Sequence, residues 1–466
     1  MAKDQSNMSI ADVAIVGAGV VGCAMARRFA LEGAKVVLLE RGADLLSGAS
    51  KANSAILHTG FDAPPGSVEL SCMQAGYAEY QAIRESFNLP LLETGAMVVA
   101  WSDAEKAALD GIEAQARANG VHDVRRLTAS EIRAREPQLS PRALEALLVP
   151  GEHVIDPWSP FLAYLLQAKA HGAEIRFATE VISGSFDGDI WTLQTSTGEQ
   201  RARTVINCAG LFGDRLDARL LGAASFQIRP RKGQFVVFDK AAAALLRTIV
   251  LPVPSERTKG VVLTRTAFGN LLVGPTAEEQ QDRERANVVD DTLRGLIARA
   301  VEMVPALADA GVTAVYAGLR PATEEKHYRI STHPDRNWIT VGGIRSTGMT
   351  ASLGIAQHIY KLYEEMGHRH VPVAEPATAR VPNLAEHEPR DWQSAGYGEI
   401  VCHCEMVTLR EIEQALSGPL PPGNFGGLRR RTRCGMGRCQ GFYCNARLAQ
   451  LTAGHFASPL AVGDAA

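Results

Sequence analysis

The segment from Asp12 to Glu40, DVAIVGAGVVGCAMARRFALEGAKVVLLE, constrains the fold of this chain more than any other. An apolar run, Val13 to Val16, meets a glycine cluster; an amphipathic stretch then stops at Gly33, and a second apolar run ends on an acid. Helical periodicity between two short apolar runs predicts a strand, a helix and a second, parallel strand. Gly17 permits the tight turn and Gly19 lets the backbone approach a pyrophosphate. Gly22 lets the helix lie close on the strand, and the helix start offers unpaired N–H groups and partial positive charge to phosphates. Glu40 stands 23 residues after Gly17, where it can accept hydrogen bonds from a ribose diol, with Arg41 beside it as a further dinucleotide contact. An acid there disfavours a 2′-phosphate, but the motif alone leaves NAD and FAD both open.

The next loop favours FAD. Residues 47 to 62, SGASKANSAILHTGFD, are small and polar, which suits a loop laid along a ribityl chain and a flavin ring. Ser50, Lys51, Asn53 and Ser54 are therefore expected cofactor contacts. Residues 205 to 216, VINCAGLFGDRL, are expected to be the last parallel strand of the nucleotide domain, running into Gly210 and a helix. Cys208 there reads as a small buried hydrophobe. Residues 228 to 276 alternate short strands with turns at Gly233, Gly260 and Gly269, as an antiparallel sheet roofing the flavin would. In VYAGLRPATEEKHYRI, Arg320 falls between an apolar strand and a proline, in a turn from which a guanidinium can grip a carboxylate or phosphate. Residues 339 to 363 read as strand, glycine turn and helix start, placing Gly343, Arg345, Ser346, Thr347, Gly348 and Met349 at the flavin ring edge.

Composition narrows the class. With 466 residues and 46% hydrophobic content the chain can bury a large core and should hold roughly two or three domains. A net charge of −3 gives no footprint for nucleic acid as a main partner. The polar amino-terminal lead has no basic region before its apolar run, so no export signal is expected and the chain is expected in the cytoplasm. No stretch reaches the roughly 18 to 20 apolar residues of a membrane span; contact with an inner membrane would go through partners.

The eight cysteines divide sharply. Cys23, Cys72 and Cys208 are scattered, whereas Cys402, Cys404, Cys434, Cys439 and Cys444 crowd near the end. In a chain that is not exported, such crowding favours metal over disulfides. Residues 371 to 395, with Pro372, Pro376, Pro382 and Pro389, read as a linker or wrapping arm. Thr408 and Glu411 form a capping box before a helix. Four thiolates suit tetrahedral zinc as well as an iron-sulfur cluster, and spacing permits Cys434 as a ligand. Arg429, Arg430, Arg431, Arg433 and Arg438 either offset cluster charge or form a docking face.

Taken together, GAGVVG (17 to 22), SKANSAILHTGFD (50 to 62), RPRKGQF (229 to 235), GNLLVGPTAEE (269 to 279), AGLRPA (317 to 322) and GIRSTGMTAS (343 to 352) carry a resemblance. Over essentially its whole length the chain resembles the D-amino-acid-oxidase-type flavoproteins, in the branch of anaerobic glycerol-3-phosphate dehydrogenase catalytic subunits and L-2-hydroxyglutarate oxidases. Its tail, LRRRTRCGMGRCQGFYCNARLAQL, resembles the bacterioferritin-associated ferredoxin type of [2Fe-2S] domain. The resemblance implies noncovalent FAD and hydride transfer from a hydroxyl-bearing carbon to flavin N5. It implies Arg320 as anchor of an anionic substrate, His58 as candidate base and Arg345 as a further catalytic candidate. It selects Cys402, Cys404, Cys439 and Cys444 as ligands of a [2Fe-2S] cluster. The loop SKANSAILHTG lacks the glycine-rich form found in the glycerol-3-phosphate enzymes, which leaves the substrate open.

The expected architecture is α/β and α+β: a Rossmann-like FAD-binding domain, an antiparallel-sheet substrate domain and a small helical iron-sulfur domain. The oxidoreductase part spans 10–370. Its FAD-binding segments are 10–85, 156–224 and 326–370, and its substrate segments 86–155 and 225–325. The linker takes 371–395 and the cluster domain 396–455. The expected activity is oxidation of a small hydroxylated anion, glycerol 3-phosphate or a 2-hydroxy acid. Electrons would leave through the cluster to an electron-acceptor protein or a membrane-anchoring partner subunit. An amino or imino acid dehydrogenase is the alternative; an electron-transfer or redox-sensing flavoprotein is the alternative of another class.

Overall fold

The computed structural model describes residues 10–254 and 260–460. Residues 1–9, the lead read for an export signal, and residues 255–259, within the expected substrate domain, lie outside the described residues. The predicted unit forms from strand Ala11–Val16, helix Val20–Leu31 and strand Val36–Leu39. Its strands pair in parallel, Val13 with Val36 through Val16 with Leu39. Because helices cover a parallel sheet on both faces, these strands read as apolar runs without alternation.

Strand Gly198–Asn207 lies parallel on the other flank of Ala11–Val16. It is central, not the last parallel strand as expected. Its last residues pair in parallel with Trp338–Gly342, and its first half pairs antiparallel with Trp191–Thr195. The apolar run VIN reports burial on both faces, and burial does not rank a strand within its sheet. Helices Val68–Phe87 and Gly348–Glu365 cross tightly beside this sheet, for a physical reason visible at two glycines. A Cβ on Gly76 would stand 2.1 Å from the Thr350 carbonyl oxygen, and one on Gly354 would stand 2.1 Å from that of Cys72.

A second, nine-stranded sheet is built from residues on both sides of the first sheet's central segments. It is antiparallel except where Ala96–Ala100 pairs in parallel with Ile249–Pro252, the seam between its two sequence segments. Strand Arg231–Phe238 pairs with Val312–Arg320, bringing Arg320 opposite Arg231. Arg320 is therefore the last residue of a strand and not a turn residue. The ladder runs on through Leu319, and Pro321, which lacks an N–H, ends it.

The tail forms a two-stranded pair, Ile400–Cys402 with Val407–Thr408, and helices Leu409–Ser417, Phe425–Thr432 and Asn445–Leu451. The predicted Thr408–Glu411 capping box is present. Val401, Val407, Ile412, Leu428 and Leu448 give this module its own apolar core. Residues 371–395 contain no strand or α-helix. They wrap instead: Val381, Leu384 and Ala385 are buried, and the Val381 N–H donates to the Phe87 carbonyl at 3.1 Å.

The arginine run holds the module in place. Arg431 donates to both oxygens of Asp44 at 2.6 and 2.9 Å, and Arg430 donates to the Leu45 carbonyl at 3.1 Å. Arg433 donates to Glu405 at 2.8 Å, and Arg429 to the Gly435 carbonyl at 2.9 Å. Arg438 is exposed and pairs with Asp239 at 2.6 Å. The run is thus largely turned inward rather than displayed as a docking face. Asp44 is fully buried, so removing its partner strands a buried charge, a change that costs about 3–5 kcal/mol. Arg431→Met is expected to lower stability by about that amount in urea unfolding, and adding Asp44→Asn is expected to recover much of the loss.

Candidate active site

A cavity of about 1070 Å³ lies between the two sheets, larger than the roughly 300–1,000 Å³ of a typical small-molecule site. It has room for a dinucleotide and a small substrate together. Of the residues singled out in the sequence, Gly17, Gly19, Glu40, Arg41, Ser50, Lys51, Asn53, Ser54, His58, Gly210, Arg320, Gly343, Arg345, Ser346, Thr347, Gly348 and Met349 line it. Gly22 does not, because it sits under the turn, where a Cβ would stand 1.8 Å from the Gly17 carbonyl oxygen. Its part is packing.

The wall near the turn is tightly wired. Glu40 accepts from the Ala18 and Gly42 N–H groups, each at 2.7 Å, and burial raises its carboxyl above the usual range against these hydrogen bonds. Ser50 Oγ accepts from the Val20 N–H at 3.1 Å. Asn53 accepts from the Ala55 N–H at 2.8 Å and donates to the Ser50 carbonyl at 3.2 Å. Arg41 stacks 3.8 Å over the Phe212 ring and pairs with Glu284. Helix Gly348–Glu365 begins at Thr347 with no side-chain cap and no acid in its first turn, so its opening N–H groups remain available to a ligand. These features fit a dinucleotide: two helix starts, a glycine turn where side chains would clash, and a carboxylate beside it.

At the far end, basic groups gather. Arg320 Nη2 donates to the Thr276 carbonyl at 3.0 Å, while its buried Nη1 has no partner among the described residues. Every other buried arginine nitrogen without a partner there is an Nε atom; at Arg320 it is a terminal nitrogen of the fork. Burial, with Arg231 adjacent, pushes the Arg320 guanidinium down to about 10, as expected of a cation lacking an anion. Arg345 donates to the Lys326 carbonyl, and burial lowers it too. Arg231 is already paired with Glu279.

His58 is held more firmly than its sequence suggested. Its Nδ1 lies 2.7 Å from Oε2 of Glu152, a fully buried carboxylate. Glu152 Oε1 accepts from the Thr59 N–H at 2.6 Å and the Thr59 hydroxyl at 2.8 Å. The His58 N–H donates to Thr350 Oγ1 at 3.0 Å, the contact that the tight helix crossing delivers. Sequence reading missed Glu152, Thr350 and Glu69; Glu69 lines the cavity and accepts from Thr347 Oγ1 at 2.8 Å. Glu152 lies 94 residues from His58, and nothing local in PGEH marks it.

In the tail, Cys402 lies beside Cys444 and Cys404 beside Cys439. The Cys434 N–H donates to the Thr432 hydroxyl at 3.2 Å, and its buried thiol lies near Cys402 and Cys444. Among the described residues no three thiol, imidazole or carboxylate groups converge on a single ion position. The Tyr443 backbone N–H, then those of Gly441 and Phe442, are aimed at Cys439 and hold its thiol below the usual range. Two thiol pairs with an amide nest at one sulfur fit a two-iron cluster. The module reaches the cavity wall through stacked rings. Arg433 lies 3.9 Å over Phe268, Phe268 stacks on Trp158 at 5.3 Å, and Trp158 Nε1 donates to the Lys51 carbonyl at 3.3 Å.

Parallel sheet, dinucleotide cavity and attached thiol module together define a flavoprotein oxidoreductase with an iron-sulfur module. Residues 12–362 match the FAD dependent oxidoreductase family and residues 400–453 the BFD-like [2Fe-2S] binding domain; the chain belongs to the FAD dependent oxidoreductase family and carries that cluster domain. It is 30% identical to a glycerol 3-phosphate dehydrogenase of Caloramator mitchellensis, covering 95% of this chain and 94% of that one. It is 29% identical to the mitochondrial L-2-hydroxyglutarate dehydrogenase of Caenorhabditis elegans over 59% of this chain and 65% of that one. The structure resembles dithionite-reduced L-α-glycerophosphate oxidase of Mycoplasma pneumoniae with FAD bound. Here the TM-score is 0.74 and the identity 26%, over 80% of this chain and 98% of that one. No helix among the described residues is long and apolar enough to cross a membrane.

If the two thiol pairs hold the irons, Cys444→Ser should remove the cluster, whereas Cys434→Ser should retain about two irons per chain. Iron and sulfide analysis with the visible spectrum checks both.

Proposed function

We propose that this chain oxidises glycerol 3-phosphate at its secondary hydroxyl, with FAD as hydride acceptor and the cluster as electron exit. The observation that carries this reading is the buried Nη1 of Arg320, without a partner among the described residues, in a cavity that also holds His58. Arg320 grips the anionic end of the substrate, with Arg345 and Lys326 on the same wall adding the positive charge a phosphate dianion calls for. His58 takes the hydroxyl proton through Nε2 as the carbon gives up its hydride. Bound flavin supplies the two-electron acceptor, and the tail cluster passes electrons on singly. Gly17, Gly19, Glu40, Ser50 and the helix start at Thr347 hold the dinucleotide. Cys402, Cys404, Cys439 and Cys444 hold the irons, with Cys404 and Cys439 half-exposed toward an electron-acceptor protein or a membrane-anchoring partner subunit. The relative that covers almost the whole chain, tail included, supports this substrate.

A 2-hydroxy acid is the second reading, favoured by one feature: Arg345 is already engaged with the Lys326 carbonyl, which leaves a single fork for a carboxylate. Anaerobic titration of the flavin band decides between them. Bleaching by glycerol 3-phosphate is expected; bleaching only by L-2-hydroxyglutarate would move the assignment to the hydroxy acid. Bleaching only by proline or another amino acid would reject oxidation of a C–OH bond. Arg320→Ala is expected to lower kcat/KM for the true substrate by roughly 10²- to 10³-fold, the cost of truncating a buried charged contact. An electron carrier reduced by a partner would keep its turnover in that variant.

A further inference from the structure

We infer that Glu152 is a positioning residue for the proposed base: it fixes His58 in the tautomer with hydrogen on Nδ1 and stabilises the imidazolium formed when Nε2 takes the substrate proton. This rests on the dehydrogenase reading above. The argument begins with donor and acceptor counting. Both donors of Thr59, its N–H and its hydroxyl, are committed to Oε1 of Glu152. Among the described residues, Oε2 bonds only to the imidazole Nδ1, at 2.7 Å. A carboxylate accepts and does not donate, so Nδ1 carries the hydrogen and the lone pair sits on Nε2.

Burial sharpens the effect. Glu152 is 0% exposed and sits between strands Glu145–Val149 and His153–Ile155, while the His58 side chain retains 21% exposure on the cavity wall. The carboxylate therefore acts on the imidazole through a water-poor contact, where charge is felt strongly. Other titratable groups among the described residues surround this pair. Tyr77 and His153 feel the charge of Glu152 from the sides of helix Val68–Phe87 and strand His153–Ile155. Asp62, Glu69, Arg320, Arg345 and Lys326 line the cavity that His58 faces. None of these is bonded to Glu152 in its place; the two oxygens are taken by Thr59 and His58.

The proton and electron inventory closes without a further reactant. The O–H bond breaks and its proton goes to Nε2, the C–H bond breaks and its hydride goes to the flavin, and the C–O bond becomes a carbonyl. Glu152 pairs with the new imidazolium. A carboxylate in this place raises the affinity of the imidazole for that proton.

Replacement of Glu152 by glutamine is diagnostic because of Thr59. Its two donors require an acceptor at the Oε1 position, so the glutamine carbonyl takes that place and the NH2 group faces Nδ1. The imidazole must then accept at Nδ1 and carry its hydrogen on Nε2, the wrong tautomer for a base. Glu152→Gln is expected to slow flavin reduction by about 10³- to 10⁴-fold, the scale seen when a histidine base is forced into the wrong tautomer, with KM little changed. The acid limb of kcat/KM should move to lower pH, since a carboxylate charge that favours the protonated imidazole is gone. Glu152→Asp should recover part of the rate.

The test has a readout independent of turnover. Nitrogen-15 NMR of histidine-labelled protein, with His58→Gln to assign the resonance among the 12 histidines, reports which ring nitrogen is protonated. The hydrogen is expected on Nδ1 in the wild type and on Nε2 in Glu152→Gln. Hydrogen on Nε2 in the wild type, or a Glu152→Gln protein that keeps the wild-type rate and pH limb, would overturn the assignment; melting temperature and bound FAD establish that the variant is folded. If that variant fails to fold, wild-type NMR and Glu152→Asp still decide. If no hydroxy compound reduces the wild-type flavin, the dehydrogenase reading fails, while the NMR still decides the tautomer.

Discussion

The closest approach in the nucleotide turn is the one on which the rest depends. Helix Val20–Leu31 comes so near the end of strand Ala11–Val16 that a Cβ on Gly22 would overlap the Gly17 carbonyl oxygen, and a Cβ on Gly17 would stand 2.6 Å from the Cys208 carbonyl oxygen. Gly17 also has φ of +108°, a conformation that side chains strain to adopt. With strand, helix and the end of Gly198–Asn207 pressed together, the following residues have few places to go. The Gly17 N–H reaches Leu39 at 2.8 Å and the Leu46 N–H reaches the Ala18 carbonyl at 2.9 Å. Glu40 closes the remaining gap by accepting from the N–H groups of Ala18 and Gly42.

That same loop is where the cluster module attaches. Asp44 and Leu45, held by the turn on one side, meet Arg431 and Arg430 on the other. Gly423 and Gly427 allow the contact, since a Cβ on either would collide with Ala43 or Asp44. The dinucleotide site and the cluster therefore share one short segment of backbone. The ring stack from Arg433 through Phe268 and Trp158 to Lys51 adds a second bridge from the module to the cavity wall. These contacts hold the module against the loop that lines the cavity.

The sequence disclosed what depends on nearby residues. The glycine turn, the terminal Glu40, the capping box at Thr408 and the helix start at Thr347 each follow from patterns a few residues long. Gly22 was legible as a packing glycine and proved to be that alone. Long-range relations left no local mark. The rank of Gly198–Asn207 in its sheet depends on Trp338–Gly342, more than a hundred residues away. The partners of the arginine run depend on Asp44, which reads as an ordinary loop acid. Spacing left Cys434 open as a ligand, and the fold buries its thiol near Cys402. Glu152 is the clearest case, because a buried carboxylate is identified by what surrounds it.

The fate of the buried arginines is what separates structure from function here. Arg431, Arg433 and Arg283 each meet a carboxylate, Asp44, Glu405 and Asp214 respectively, so their charges are settled within the fold. Arg320 lies opposite Arg231 in the ladder and meets no carboxylate among the described residues, where its buried terminal Nη1 has no partner. Leaving such a group unsatisfied costs stability. An acceptor beyond the described residues would relieve it, and Nη1 belongs to a side chain lining the cavity that also holds His58.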